Sequence, residues 1–229
     1  MERVGDAFVW PFRDPRWAEK IVVIGLIGLI PIVGGINGLG WLLATMGRLR
    51  AGEERLPPAN FDYLGRGLEL FVVLLVYYLV LFVVAAVFFV PALLILGAQS
   101  NSSGGGFLAF IGVVLMLFAF GILTIGLLLM TFVRPAIVLA VDHGGIGGGF
   151  GVAAVFRRFA AHPASTLIAG LMLIAAGFIG SLGAYACIVG IALTVPYSLA
   201  MEAWIVRSYE LGSNKEEGSN VGQPAAPAG

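Results

Sequence analysis

Residues 70–133 run for sixty-four positions without a single Asp, Glu, Lys, Arg or His. Their one strongly polar patch, Gln99-Ser100-Asn101-Ser102-Ser103-Gly104-Gly105-Gly106, parts two apolar runs of 27 residues each, 70–96 and 107–133. As a helix each run is roughly 40 Å long, enough to cross a hydrocarbon core of about 30 Å with some tilt. A soluble domain cannot bury both runs on every face. The stretch therefore predicts a helical hairpin in a membrane. Composition agrees: 11% of the chain is charged and 59% hydrophobic, against roughly 25% charged residues in soluble domains.

The same numbers exclude whole classes of function. Basic and acidic residues balance at 13 each, so the chain lacks the positive excess that nucleic-acid binding draws on. Cys187 is the only cysteine, which rules out an internal disulfide and a Cys-rich metal or redox centre. A small residue in a helix interface is its expected role. His143 and His162 have no second ligand at metal spacing. No nucleophile–base arrangement is legible, so no catalytic residue, metal or cofactor is expected, nor an enzyme. The opening Met1-Glu2-Arg3-Val4-Gly5-Asp6 lacks the basic start and apolar core of a cleavable signal peptide, so insertion is expected to use the internal spans.

Taken in order, residues 1–20 mix Phe8, Trp10, Phe12 and Trp17 with Arg13 and Arg16. That blend suits the headgroup layer; a cap folded back on the protein is the alternative. Residues 21–47 are uncharged but broken by Pro31-Ile32-Val33-Gly34-Gly35-Ile36-Asn37-Gly38-Leu39-Gly40. Either one span kinks here, or two short arms, 21–33 and 35–46, form a hairpin that needs glycine to turn. All thirteen basic residues fall in four segments, 3–20, 48–66, 134–158 and 207–215. A returning hairpin puts all four on one face, which the positive-inside rule makes cytoplasmic. Both termini are then cytoplasmic, in a multi-pass protein of the cell membrane.

Further on, Asn60 is placed to cap a helical turn, Pro91 to kink the first long arm, and Arg134-Pro135 to end the second. Gly149-Phe150-Gly151-Val152-Ala153-Ala154 matches the G-x-G-x-x-A fingerprint in letters only. The next segment enters the membrane, and no acidic residue follows until Glu202. Val152, Val155, Phe156 and Phe159 line one face of an amphipathic surface helix. The uncharged run that follows divides into spans near 164–182 and 185–205, with Gly177/Ser181 and Gly183/Cys187 as small-xxx-small pairs. Residues 212–229 read as a disordered tail. The fold expected is all-α and polytopic: about six membrane-embedded helices in three hairpins across residues 21–211, each hairpin preceded by an interfacial segment.

Asp6-Ala7-Phe8, Pro11-Phe12-Arg13-Asp14-Pro15-Arg16-Trp17, Ile30-Pro31-Ile32-Val33-Gly34, Gly40-Trp41, Arg50-Ala51-Gly52-Glu53 and Leu56-Pro57 resemble the prokaryotic domain-of-unknown-function family 4013. The closing amphipathic helix and hairpin are similar to the end of that family's domain. The resemblance extends over about residues 6–211 and implies a polytopic membrane protein of bacteria or archaea, with no activity or site residue to carry over. Gly35 stands where the family often has proline or a bulky residue, which implies a looser turn here.

Two places are candidates for function. Glu202 is the one ionisable residue inside a span. It is expected to be solvated or paired with a basic residue, or else to form a cation or proton site with Tyr197. The broken stretch with Pro31, Gly34, Gly35, Asn37 and Gly38 either exposes backbone groups to an ion or polar substrate or is simply a tight turn. The expected role is a non-catalytic membrane subunit or scaffold whose partners are membrane lipid, other membrane proteins or further copies of itself. A small channel or transporter is the alternative.

Overall fold

The computed structural model describes residues 3–99 and 106–221. Among them there are helices and turns but no strand. Short 3-10 turns at Val4–Phe8 and Trp10–Arg13 lead into α1 (Trp17–Gly28) and α2 (Val33–Arg50). Then come α3 (Leu64–Gln99), α4 (Gly106–Gly149), α5 (Val152–Ala161), α6 (Pro163–Leu182), a 3-10 turn at Gly183–Ala186, and α7 (Cys187–Val221). Four helical stretches are long and apolar enough to cross a membrane: Leu64–Ala98, Gly106–Gly149, Pro163–Tyr185 and Val189–Lys215. The polar patch at residues 100–105 and the tail beyond 221 lie outside the described residues, as does the side chain of Cys187.

The chain divides into two compact units. The smaller, Leu74–Met130, holds the apolar arms of α3 and α4. Gly112 lies beside Ile95 and Leu96, Phe88 stacks on Phe118 with ring centroids 6.3 Å apart, and Gly126 sits against Leu81. Position rises on one arm as it falls on the other, so the arms run antiparallel. Outside this seam the arms are apolar all round: Phe82, Val83 and Val84 are exposed in succession, as are Leu127, Leu128 and Leu129. Consecutive helical residues point about 100° apart, so neither arm has a polar face.

The larger unit comprises the described residues of Met1–Val73 and Thr131–Gly229, and α7 is its centre, packed by α1, α2, α6 and the N-terminal turns. Small residues permit this. A Cβ on Gly25 would overlap the carbonyl of Ala192, and one on Gly183 would strike Thr194 and Gly190. The Thr194 hydroxyl stands 2.7 Å from the Gly180 carbonyl and 3.1 Å from that of Gly190, its two hydrogen-bond acceptors. The close seam is thus Gly180/Gly183 against α7, whereas Gly177 of the expected small-xxx-small pair faces open space.

Several boundaries differ from the sequence reading, each for a packing reason. Pro91 lies inside α3, which was expected to continue past it, but Pro135, expected to end the second arm, lies inside α4. After Pro135, Ala136, Ile137, Val138, Leu139 and Val141 are all buried, and that burial outweighs the lost backbone hydrogen bond. The break comes instead at Gly145, with φ 57° and ψ −151°. The fingerprint-like glycines join α4 to α5, with no strand before them. Asn60 caps no helix: its side-chain oxygen accepts the Asp62 N–H at 3.3 Å, and α3 begins at Leu64. Beyond Leu211, α7 continues to Val221 with Ser213 buried, where a disordered tail was expected.

The first break is also built differently. Gly34, Gly35 and Gly38 are helical residues of α2 rather than turn residues. The turn is made by Pro31 and Ile32: the Val33 N–H donates to the Pro31 carbonyl at 2.7 Å, and Ile32 takes φ 65°, ψ −59°. That is a γ-turn of the strained hand at a β-branched residue. The N-terminal aromatics divide between the two expected settings. Phe12 is exposed, but Trp10 is fully buried, stacked on Trp204 at 5.6 Å.

Gly25→Ala is expected to cost about 1–3 kcal/mol by overpacking α1 on α7, whereas Gly177→Ala should be close to neutral. Thermal unfolding in a mild detergent measures both.

Candidate functional site

Charged side chains of the larger unit gather into ion pairs, and these link all four basic segments. At the N-terminal end, Arg3 and Arg13 share Asp6 at 2.9 and 3.1 Å and both reach Glu54. Their guanidiniums lie over the Trp204 ring, 5.6 and 5.8 Å from its centroid. These contacts are partly open to water, where each is worth little alone.

Asp14 is buried and more fully held. It accepts the Arg16 and Leu56 N–H groups, both at 2.9 Å, and the Lys20 ammonium at 2.6 Å. Lys20 also donates to the Leu56 carbonyl at 2.5 Å, which Arg48 reaches at 3.4 Å. The first turn of α1 and the last turn of α2 therefore converge on one carbonyl. Burial alone would raise the Asp14 carboxyl. The Lys20 ammonium and the two N–H donors outweigh that and hold it below the ordinary carboxylate range.

The densest cluster joins α2, α3, α4 and α7. Arg50 pairs with Asp142 and, at 3.0 Å, with Glu210. Arg66 reaches Asp142 at 2.5 Å, Arg207 reaches Glu210 at 2.7 Å, and His143 stands 3.5 Å from Glu210. The Asp142 side chain is 1% exposed and that of Glu210 10%, so each carboxylate depends on its cations in place of water.

Glu202 is buried on α7 and paired with Arg134 of α4 at 2.6 Å. That is the pairing with a basic residue that the sequence allowed. Tyr197 takes a different partner: its hydroxyl donates to the Phe8 carbonyl, and its ring lies 5.5 Å from that of Phe12. Gly34, Gly35 and Gly38 do come together. With Gly25, Phe71 and Pro196 they line an apolar cavity of about 340 Å³. Pro31 stays in the turn, outside that lining. Asn37 is also buried away from it, donating to the Asn60 carbonyl at 2.9 Å. Its side-chain oxygen and the Trp41 indole N–H, one helical turn apart, are buried without a hydrogen-bond partner among the described residues.

Sequence reasoning missed Asp14, Asp142 and Glu210 as structural groups. The available signal was position: each lies in one of the charged segments that border the apolar stretches, where a carboxylate is cheap to bury if a basic segment from elsewhere arrives. Which segment arrives is a tertiary matter.

Glu202→Ala deletes a buried carboxylate and its ion pair with the half-buried Arg134, and a loss of about 2–4 kcal/mol is expected; Arg134→Met with Glu202→Leu should recover most of it. Asp14 gives a pH dependence. Its folded pKa is depressed, so its stabilisation is present above the unfolded value near 4 and lost as pH falls through the folded one. Asp14→Asn should flatten that acid limb in thermal unfolding scans between pH 6 and 3.

No curated protein matches this chain, and neither does any solved structure. Residues 23–189 match the family described as a protein of unknown function, DUF4013. Within that match fall the motifs at Ile30–Gly34, Gly40-Trp41 and Arg50–Glu53; the Asp6–Trp17 motif precedes it. With the match running through the first three of the four apolar stretches, the chain belongs to the DUF4013 family.

Proposed function

We propose that this chain is a non-catalytic subunit of the cell membrane that docks partner membrane proteins through the α3 and α4 arms. The observation behind this is the apolar circumference of those arms: Leu79, Phe82, Val83, Leu94, Phe110 and Phe118 all stand exposed. A flank of that kind needs lipid or another helix against it. The buried carboxylates support a structural rather than a transporting role, because Asp142, Glu202 and Glu210 already hold cationic partners.

The topology proposed is three hairpins, with about six helices embedded and all four basic segments on the cytoplasmic face. Two findings support it. Lys20 and Arg48 meet at one carbonyl, as the two ends of a returning hairpin do. Ion pairs tie the first segment to the second through Glu54, the second to the third through Asp142, and the second to the fourth through Glu210. At 12 and 18 residues, α1 and α2 are about 18 and 27 Å long, short of a full crossing. That favours a re-entrant pair.

A second reading, transport, draws on the cavity beside Gly34, Gly35 and Gly38. Its walls are apolar, so it suits an apolar solute better than an ion.

Purification from native membranes in mild detergent, then native mass spectrometry, tests the docking reading. A stoichiometric protein partner, released by Leu79→Ala with Phe82→Ala, is the expected result. A chain that comes out alone, yet moves a solute across vesicles, favours transport. In a Cys187→Ala background, cysteines at Glu53 and Ala160 should label from the cytoplasm and one at Asn101 from the opposite side. Glu53 and Ala160 labelling from opposite sides would refute the topology.

A further inference from the structure

Between the end of α4 and α5 lies a groove of about 750 Å³, a size that takes a small ligand. Its floor is small: Ala136, Ala140, Gly144 and Gly148. Its rim carries His143, Arg157, Arg158 and His162 and no carboxylate. Arg157 is exposed and Arg158 half-buried, and neither guanidinium has an ion pair among the described residues. Two acidic groups stand nearby: Glu210, 3.5 Å from His143 and already held by Arg50 and Arg207, and Glu69, whose carboxylate lies beside Gly145, outside the groove lining. A second polar cleft of the larger unit, beside Arg3 and Trp204, is a poorer anion site. Glu54 lines it, and Arg3 and Arg207 are ion-paired.

We propose that this groove binds the phosphate of an acidic phospholipid, with Arg157 and Arg158 as its direct ligands. Guanidiniums present paired N–H donors that match phosphate oxygens, and the free positive charge makes the groove complementary to an anion. That the anion belongs to a lipid follows from the surroundings. α5 leads through His162 straight into α6, an apolar stretch long enough to span. Val152 and Phe156 stand half exposed on α5, so arginines and apolar side chains share one short helix, the pattern of a segment lying in the headgroup layer. Basic pockets beside membrane helices hold lipid headgroups in this way. The inference rests on the membrane reading of the chain, but not on the docking role of α3 and α4.

The test uses the full chain, delipidated in a neutral detergent and titrated with phosphatidylglycerol or phosphatidylcholine, adducts being read by native mass spectrometry. Phosphatidylglycerol should bind the tighter, and Arg157→Gln with Arg158→Gln should weaken it about tenfold or more. Arg157→Lys with Arg158→Lys should keep most of the binding. Arg16→Gln with Arg55→Gln removes the same charge from exposed positions elsewhere and should change nothing. Ala154→Leu narrows the groove without altering charge and should also weaken binding, which covers the case where the glutamine variant fails to fold. Equal binding by the glutamine variant and the parent, or equal binding of the two lipids, would overturn the proposal. So would displacement by inorganic phosphate at matched concentration, which marks a free-anion site. A chain that fails to sediment with membranes would sink the membrane reading itself, a result separate from any lipid titration.

Discussion

Arg50 carries the constraint on which the larger unit depends. A guanidinium at the end of α2, taken partly out of water, must find carboxylates in fixed positions, and it finds Asp142 on α4 and Glu210 on α7. Arg66 of α3 closes on the same Asp142. Four helices distant in sequence are thereby pinned at one level. In a membrane the apolar surfaces of helices gain little by leaving lipid for one another. Directional contacts of this kind therefore decide which helix stands beside which.

Close packing supplies the other half. α7 accepts neighbours on several sides because Gly25, Gly180 and Gly183 remove the side chains that would hold helices apart. Thr194 then uses the short distance to meet two backbone carbonyls. The N-terminal turns add a lid of aromatics over the same helix: the Trp10 indole donates to the Ala200 carbonyl, and the Trp204 indole donates to that of Arg3. Each polar edge that leaves water finds a backbone group, so the aromatic bodies are buried at little electrostatic cost. Asn37 and Trp41 depart from that rule, with an acceptor and a donor buried one turn apart. A bridging water would satisfy both.

The contrast between the two units bears on function. In the larger, the buried carboxylates Asp14, Asp142, Glu202 and Glu210 each meet a cation, and glycines such as Gly25 and Gly34 meet a backbone, so most of its polar and close-packed groups are matched within the unit. In the smaller, the α3 and α4 arms satisfy only the seam between them and leave the rest of their apolar surface to whatever surrounds it. A unit that is satisfied suits a fixed body, and one that is not suits a surface that meets partners or lipid.

Much of this was legible along the chain. The uncharged run at residues 70–133 sets the long apolar arms, because a helix of that composition has no alternative to a nonaqueous setting. The apolar spacing of Val152, Val155 and Phe156 sets α5 almost to the residue, and family membership was readable from local motifs. Local rules failed where distant packing outweighed them. Proline did not end α4, because the residues after it are buried. Glycine did not make the first turn: Pro31 and Ile32 make it, and Gly34 lies in α2 where a Cβ would overlap the backbone of Ile27 and Gly28. By itself the sequence determined that the chain is helical, where its long apolar stretches lie and the banding of charge, since these follow from hydropathy and local geometry. Only the tertiary structure decided that Glu202 takes Arg134, that Arg50 joins Asp142 to Glu210, and that Arg157 and Arg158 are left facing a groove. A charge does not carry its partner's position in its own sequence neighbourhood.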